Sequence, residues 1–173
     1  MSKIWVELAD IPAEGRVFSF EDQGFWQESL RTCVLSATIA APLRAEVTVL
    51  PDERGALVRG TLHGSVVLPC DRCSEDCEQT VDEAFEVYEE LPAEGGESAE
   101  ESRVVEEDGV PRLDLGAVLW EQFVLALPPK PLCREDCKGL CPRCGGNRNF
   151  QECDCAEGGN DPRLSVFRNL KIS

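Results

Sequence analysis

Residues 43–68 read LRAEVTVLPDERGALVRGTLHGSVVL. Leu43, Ala45, Val47 and Val49 occupy every second position, separated by Arg44, Glu46 and Thr48, which is the period of a strand with one buried face. Pro51-Asp-Glu-Arg-Gly55 supplies turn residues, and Leu57 to Leu62 brings the chain back as the second arm of a hairpin. After Gly64, Ser65 to Leu68 extends the meander and delivers the chain into Cys70. Strands joined by short turns pair antiparallel, so this stretch predicts an antiparallel β core.

Working outward, Ile4, Val6 and Leu8 alternate in a short strand over 3–8 that Pro12 ends. Asp22 is placed to cap a helix running to Arg31 that buries Phe25, Trp26 and Leu30. Leu35, Ala37 and Ile39 alternate up to Pro42. Residues 79–90 fit both periods; their Val, Phe and Tyr content and their place after a meander favour a strand. From Leu91 to Pro111 the sequence is acidic with few large apolar groups, so burial cannot offset its ordering entropy, and a mobile acidic loop at about 91–111 is expected. Asp114 then caps LGAVLWEQFVLAL, with Leu115, Leu119, Phe123 and Ala126 at helical spacing, until Pro128-Pro129 forbids continuation. The helix is apolar nearly all round and should pack across the sheet.

The predicted fold class is therefore α+β: an antiparallel β-sheet, with barrel-like closure as one form of it, two helices, and a C-terminal cysteine-rich zinc hook. Residues 1–127 form the β-rich core, and 128–173 form a cysteine-rich metal-binding segment.

The 173 residues carry 17 Lys+Arg against 33 Asp+Glu, a net charge of −16. Residues 75–108 hold fifteen acids and one base, whereas 128–173 hold eight bases and six acids. Such a field repels phosphate backbones over most of the surface and disfavours general nucleic-acid binding. The N-terminus MSKIWVELADIP shows no basic region followed by an apolar stretch, and no apolar run approaches the ~18 residues of a membrane span. A cytoplasmic, reducing environment is expected, with no membrane partner.

Ten cysteines need a role in such an environment, and metal binding is the expected one. Six lie within residues 133–155: Cys133-x3-Cys137-x3-Cys141-Pro-Arg-Cys144-Gly, then Cys153-Asp-Cys155. In Cys-Pro-x-Cys-Gly, proline fixes entry to the turn and glycine permits the bend after the second sulfur, so both thiolates point inward. The first-choice ligands are Cys141, Cys144, Cys153 and Cys155, with Cys133 and Cys137 as alternates. Cys70-Asp-Arg-Cys73, with Cys77 beyond, is readable as a redox dithiol, as packed reduced thiols, as a second incomplete metal site, or as a pair of ligands reaching the C-terminal hook. Arg72 between them is expected to be exposed and available to a partner.

Four soft ligands suit Zn²⁺, with an iron–sulfur cluster ranked second, because Cys₄ holds either. The segment after Pro128 has too little apolar content to fold alone, so the metal would be its structural staple. A catalytic zinc keeps a position for water and usually recruits histidine, yet His63, the sole histidine, sits in a strand-like stretch and reads as an ordinary sheet residue. Cys137-x3-Cys141-x2-Cys144 also matches the three-thiolate spacing of radical S-adenosylmethionine enzymes, but the 29 residues after Cys144 cannot build their barrel. No Ser/His/Asp set, phosphate-binding glycine loop or paired catalytic carboxylates stands out. No catalytic or small-molecule cofactor residues are assigned, no small-molecule substrate is implied, and the protein is not expected to be an enzyme.

The stretches VVLPCDRC at 66–73, LDLGAVLWEQFVLALPPKPLC at 113–133, EDCKGLCPRCGGNRN at 135–149 with CDC at 153–155, and DPRLSVFRNL at 161–170 resemble the YceD family, the large ribosomal RNA subunit accumulation proteins. Arg148 stands where that pattern usually has an aliphatic residue. The resemblance implies a cytoplasmic, non-catalytic ribosome-biogenesis factor that supports accumulation of large-subunit (23S) ribosomal RNA. The acidic run adds the expectation of a basic ribosomal protein or assembly factor as direct partner, with pre-ribosomal RNA open to contact by the tail. The alternative is a redox-responsive zinc protein that releases metal when its thiols are oxidised.

Overall fold

The computed structural model describes residues 3–33, 35–91 and 103–155. Its elements in chain order are β1 (Trp5–Glu7), a 3₁₀ turn (Leu8–Asp10), β2 (Arg16–Phe20), α1 (Gln23–Thr32), β3 (Thr38–Asp52), β4 (Gly55–Pro69), β5 (Asp76–Glu90), β6 (Val104–Glu107), β7 (Val110–Asp114) and α2 (Leu115–Ala126). Two helices accompany two antiparallel sheets, so the class is α+β.

The larger sheet has the order β2-β3-β4-β5, and the smaller has β1-β7-β6. This corrects the expectation of barrel-like closure. Among the described residues β2 pairs only with β3 and β5 only with β4, so the sheet keeps two open edges instead of closing on itself. Alternation places Leu43, Ala45, Val47 and Val49 of β3, Val58, Leu62 and Val66 of β4, and Val81 of β5 in the core. Trp26 of α1 meets Phe123 of α2 at 5.7 Å between ring centroids, both fully buried with these residues. The opposite sheet face is polar: Arg59 pairs with Glu86 at 2.6 Å, and His63 with Asp82 at 2.8 Å, all exposed cross-strand neighbours. His63 is thus an ordinary sheet residue.

Pro42 does not divide two strands, as the alternation suggested, but lies within the fifteen-residue β3. Ala41 pairs with Ser65 and Arg44 with His63, so Pro42 and Leu43 together oppose Gly64, which is a β-bulge. Proline is tolerated there because a bulged residue has no ladder bond to donate. Gln23, the first residue of α1, completes the bulge: its side-chain amide donates to the Leu43 carbonyl at 2.8 Å, and its carbonyl oxygen accepts from the Leu43 N–H at 3.0 Å. Asp22 caps α1 by accepting from Gly24 N–H at 2.9 Å. Asp114 caps α2, and its Oδ1 accepts from the backbone N–H groups of both Ala117 and Ile4 at 3.2 Å.

The mobile loop expected at about 91–111 is corrected in its second half. Residues 92–102 lie outside the described residues, but β6 and β7 form a hairpin in which Glu107 pairs with Val110 across Asp108-Gly109. Both turn residues have positive φ, 54° and 76°, the backbone that a two-residue primed turn demands. Val104 and Leu113 bury 99–100% of their surface from this hairpin, being 1% and 0% exposed. Arg103, just ahead of β6, forms an ion pair with Glu121 of α2. No helix of the described residues is long and apolar enough to cross a membrane.

Candidate metal centre

β4 ends at Pro69, and the chain turns through Cys70-Asp-Arg-Cys73 before entering β5. The turn closes with Ser74 N–H donating to the Cys70 carbonyl at 2.8 Å, Ser74 holding φ at 60°. The Cys141-Pro-Arg-Cys144 turn repeats this arrangement: Gly145 N–H donates to the Cys141 carbonyl at 2.9 Å with φ at 71°. The two knuckles share one geometry although only the second carries the glycine that advertises it. In both, the sulfur of the first cysteine accepts from the backbone N–H groups two and three residues on, Arg72 and Cys73 for Cys70, Arg143 and Cys144 for Cys141.

The segment after α2 returns to the first knuckle. Asp71 N–H donates to the Pro131 carbonyl at 2.9 Å, and Leu140 N–H to the Arg72 carbonyl at 2.9 Å. The Arg72 guanidinium donates to the carbonyls of Cys137 at 3.0 Å and Glu135 at 3.3 Å. Arg72 is exposed as expected, and its Nη1 also helps hold the tail through these two carbonyls.

These contacts gather eight cysteines into two quartets: Cys70, Cys73, Cys133 and Cys137, and Cys141, Cys144, Cys153 and Cys155. Within each, all four sulfurs lie within 4.8 Å of one another. Cys70 and Cys137 are 3.8 Å apart and Cys73 and Cys133 3.6 Å. A tetrahedron with metal–sulfur bonds of about 2.3 Å has edges of about 3.8 Å, whereas a disulfide needs about 2.05 Å. The spacing fits four thiolates around one ion. The first-choice four of the sequence reading stand together as the second quartet, and the alternates Cys133 and Cys137 join Cys70 and Cys73 in the first. Cys77 is buried beside the first quartet but outside it, its thiol donating to the Leu68 carbonyl at 3.2 Å. Cys33 is exposed at the end of α1.

The electrostatics of the sulfurs suit a cation. Burial pushes the Cys70 thiol up, but backbone N–H groups of Cys133, Arg72 and Cys73 outweigh it and bring it down to about 6. The N–H groups of Cys144 and Arg143 bring Cys141 down to about 6. Burial and the sulfurs of Cys73, Cys137 and Cys70 push Cys133 up to about 12, and the sulfurs of Cys144 and Cys141 push Cys155 up to about 12. Each knuckle thus ionises one sulfur readily, and the accumulating thiolate charge resists ionisation of the last. A divalent cation removes that resistance, so the donor set fits a soft metal ion and would take it up with release of protons.

The sequence reading missed the residues that surround the sulfurs. Asn149 donates its side-chain N–H to Cys137 Sγ at 3.3 Å while its Oδ1 accepts from Lys138 N–H and from the Arg134 guanidinium, both at 2.8 Å. Asn147 donates to the Glu75 carboxylate at 3.1 Å. Gly139 holds φ at 70° and passes so close to the first knuckle that a Cβ there would lie 2.9 Å from the Arg72 carbonyl. The one sequence signal for these roles is the Asn-x-Asn that follows the second knuckle. The motif DPRLSVFRNL at 161–170 lies outside the described residues.

The family model described as large ribosomal RNA subunit accumulation protein YceD matches residues 58–171, a span that contains both quartets. Uncharacterized proteins of Mycobacterium tuberculosis and Mycobacterium bovis are each 30% identical over 135 residues, which cover 76% of this chain and 63% of theirs. The chloroplastic large ribosomal RNA subunit accumulation protein YCED homolog 1 of Arabidopsis thaliana is 23% identical over 156 residues, covering 75% of this chain and 49% of that protein. The chain therefore spans less than two thirds of the length of these curated relatives. No solved structure matches it. On the match that runs from β4 through the knuckles into the tail, the chain belongs to the YceD family of large ribosomal RNA subunit accumulation proteins.

Proposed function

We propose that the protein is a non-catalytic, cytoplasmic ribosome-biogenesis factor that supports accumulation of large-subunit (23S) ribosomal RNA, its tail stapled to the β core by two structural zinc ions. The observation that carries this reading is the coincidence of the family match with the segment that brings both quartets together. Zinc is preferred because closed four-thiolate sets are its usual structural form, with an iron–sulfur cluster second.

The direct partner is read as a basic ribosomal protein or assembly factor. Asp76, Glu78, Asp82, Glu86 and Glu90 are exposed on one face of β5, an edge strand. That stripe suits a basic surface better than RNA. Each tetrathiolate zinc adds about −2, which weakens any pull of the tail's arginines and lysines on phosphate. Direct contact of the tail with pre-ribosomal RNA is the competing result of a binding test.

In cells deprived of the protein, the ratio of 23S to 16S RNA should fall and be restored by the wild-type chain. A chain with Cys70→Ser and Cys141→Ser should fail to restore it. Full restoration by that variant would separate the function from the metal, and an unchanged ratio in the deprived cells would remove the function itself.

A redox-responsive reading has one observation in its favour: the second quartet has one buried member, Cys141, against three in the first, where only Cys133 is exposed. Peroxide would take two electrons from two zinc thiolates, forming a disulfide and water and releasing Zn²⁺. Reversible release from the second quartet, coupled to a gain of activity, would favour this reading; retention of metal under mild peroxide would end it.

A further inference from the structure

The two quartets are separated by only Lys138, Gly139 and Leu140, and the loop that belongs to one is built into the other. Residues 145–152 connect the two cysteine pairs of the second quartet. That loop folds back onto the first. Arg148 N–H donates to the Gly139 carbonyl at 2.9 Å, and Leu140 and Asn147 form a β-bridge. Asn147 reaches Glu75 just past the first knuckle at 3.1 Å, and Asn149 donates to the Cys137 sulfur at 3.3 Å. The Oδ1 of Asn149 accepts from Lys138 and Arg134, the residues that follow Cys137 and Cys133. A side chain from inside the second quartet's loop therefore orients one ligand of the first, holds the backbone just after that ligand, and takes up the guanidinium of the residue that follows Cys133.

We propose that the two metal centres load as one coupled unit, and that Asn149 is the positioning residue through which a filled second centre strengthens the first. The inference rests on the metal-binding reading above. Closing the second quartet around an ion fixes Cys144 relative to Cys153 and so fixes the loop between them. With the loop fixed, Asn149 is held against Cys137 without a further ordering cost. By linkage the coupling runs both ways: filling the first centre strengthens the second by the same factor. An amide donor to a metal-bound thiolate disperses its charge and fixes its direction, and outer-shell groups of this kind are worth about 10- to 100-fold in metal affinity.

Cobalt(II) titration of the full-length reduced chain tests this, because each tetrathiolate centre reports through its ligand-to-metal and d–d bands, with chelator competition giving affinity. In the wild type two ions should bind. Cys141→Ser with Cys144→Ser, which leaves the first quartet intact, should weaken cobalt at that quartet by about 10- to 100-fold relative to the wild type. Asn149→Ala should reproduce that loss at the first quartet, remove by the same factor the strengthening that a filled first quartet gives the second, and add little to the double-serine variant. Asn149→Asp keeps an acceptor for Lys138 and Arg134 but places an anion against Cys137 Sγ, so it separates support of the loop from donation to sulfur; it should weaken the first centre at least as much as alanine. Equal affinity of the first quartet with and without the second, or Asn149 variants that leave it unchanged, overturns the coupling while the two-ion reading stands. Binding of fewer than two ions by the wild type instead overturns the metal reading, and the coupling with it.

Discussion

Gly139 is the residue on which the docking of the tail turns. Its φ of 70° excludes most side chains, and a Cβ would press on the Arg72 carbonyl at 2.9 Å, a backbone atom that cannot swing aside. Gly145 has nearly the same φ, 71°, but open space around it. Gly139→Ala should therefore lower stability by more than Gly145→Ala, whose cost is the left-handed conformation alone, about 1–2 kcal/mol. Thermal unfolding of the metal-loaded chain checks this, and equal losses would show that the close approach to Arg72 carries no weight. Glu89 gives a second prediction at this scale. Burial lifts its carboxyl above the usual range, the Arg103 guanidinium at 3.6 Å only partly opposing this, and its Oε1 has no hydrogen-bond partner. A raised carboxyl favours the fold while protonated and costs stability as pH rises through its folded value. Glu89→Gln should thus be more stable than the parent at pH 8, the gap closing as pH falls below the range of the ordinary glutamate, in urea unfolding followed across that interval. The cysteines were legible at this scale because residue type and spacing name them. Asn149 was not, since its contact with Cys137 exists only once the loop has folded back.

At the scale of elements, β5 is a fifteen-residue edge strand whose outward face carries five carboxylates, Asp76, Glu78, Asp82, Glu86 and Glu90, interrupted by Thr80, Ala84 and Tyr88. Charged side chains along an edge prevent pairing with a second chain, and under the proposed function the same stripe would face a basic partner. Asp82→Asn, Glu86→Gln and Glu90→Gln together should weaken association with ribosomal particles, most strongly at low salt, while stability changes little because the exposed contacts of Asp82 with His63 and Glu86 with Arg59 contribute about 0–1 kcal/mol each. Sedimentation across a salt series reads this; unchanged association would remove β5 as the docking strand. Much of this architecture was legible. The two-residue period marked β3 and β4, and Asp22 and Asp114 marked the two helix starts. The β6–β7 hairpin was hidden because its four- and five-residue strands lie inside an acidic run whose composition argues for disorder, although Asp108-Gly109 carried the turn signal. Pro42 misled in the opposite direction, since a bulge completed by Gln23 from another element lets the strand continue through it.

For the whole molecule, the acidity that dominates the composition is local, and among the described residues the cysteine segment is hydrogen-bonded to the β core at the turn between β4 and β5. Spacing groups the cysteines from 141 to 155, but nothing local ties Cys73 to Cys133, or Cys70 to Cys137, 60 and 67 residues away. That pairing depends on the sheet delivering the first knuckle to the end of α2. Binding of metal at both quartets is the central claim, because it explains why so weakly apolar a segment holds a fixed place on the core. Native mass spectrometry of the full-length reduced chain, purified without chelator, tests it most directly. The account predicts two metal ions per chain, reduced to one by Cys70→Ser with Cys73→Ser and to one by Cys153→Ser with Cys155→Ser. A chain that carries no metal, or that keeps two ions when either pair is removed, would contradict it.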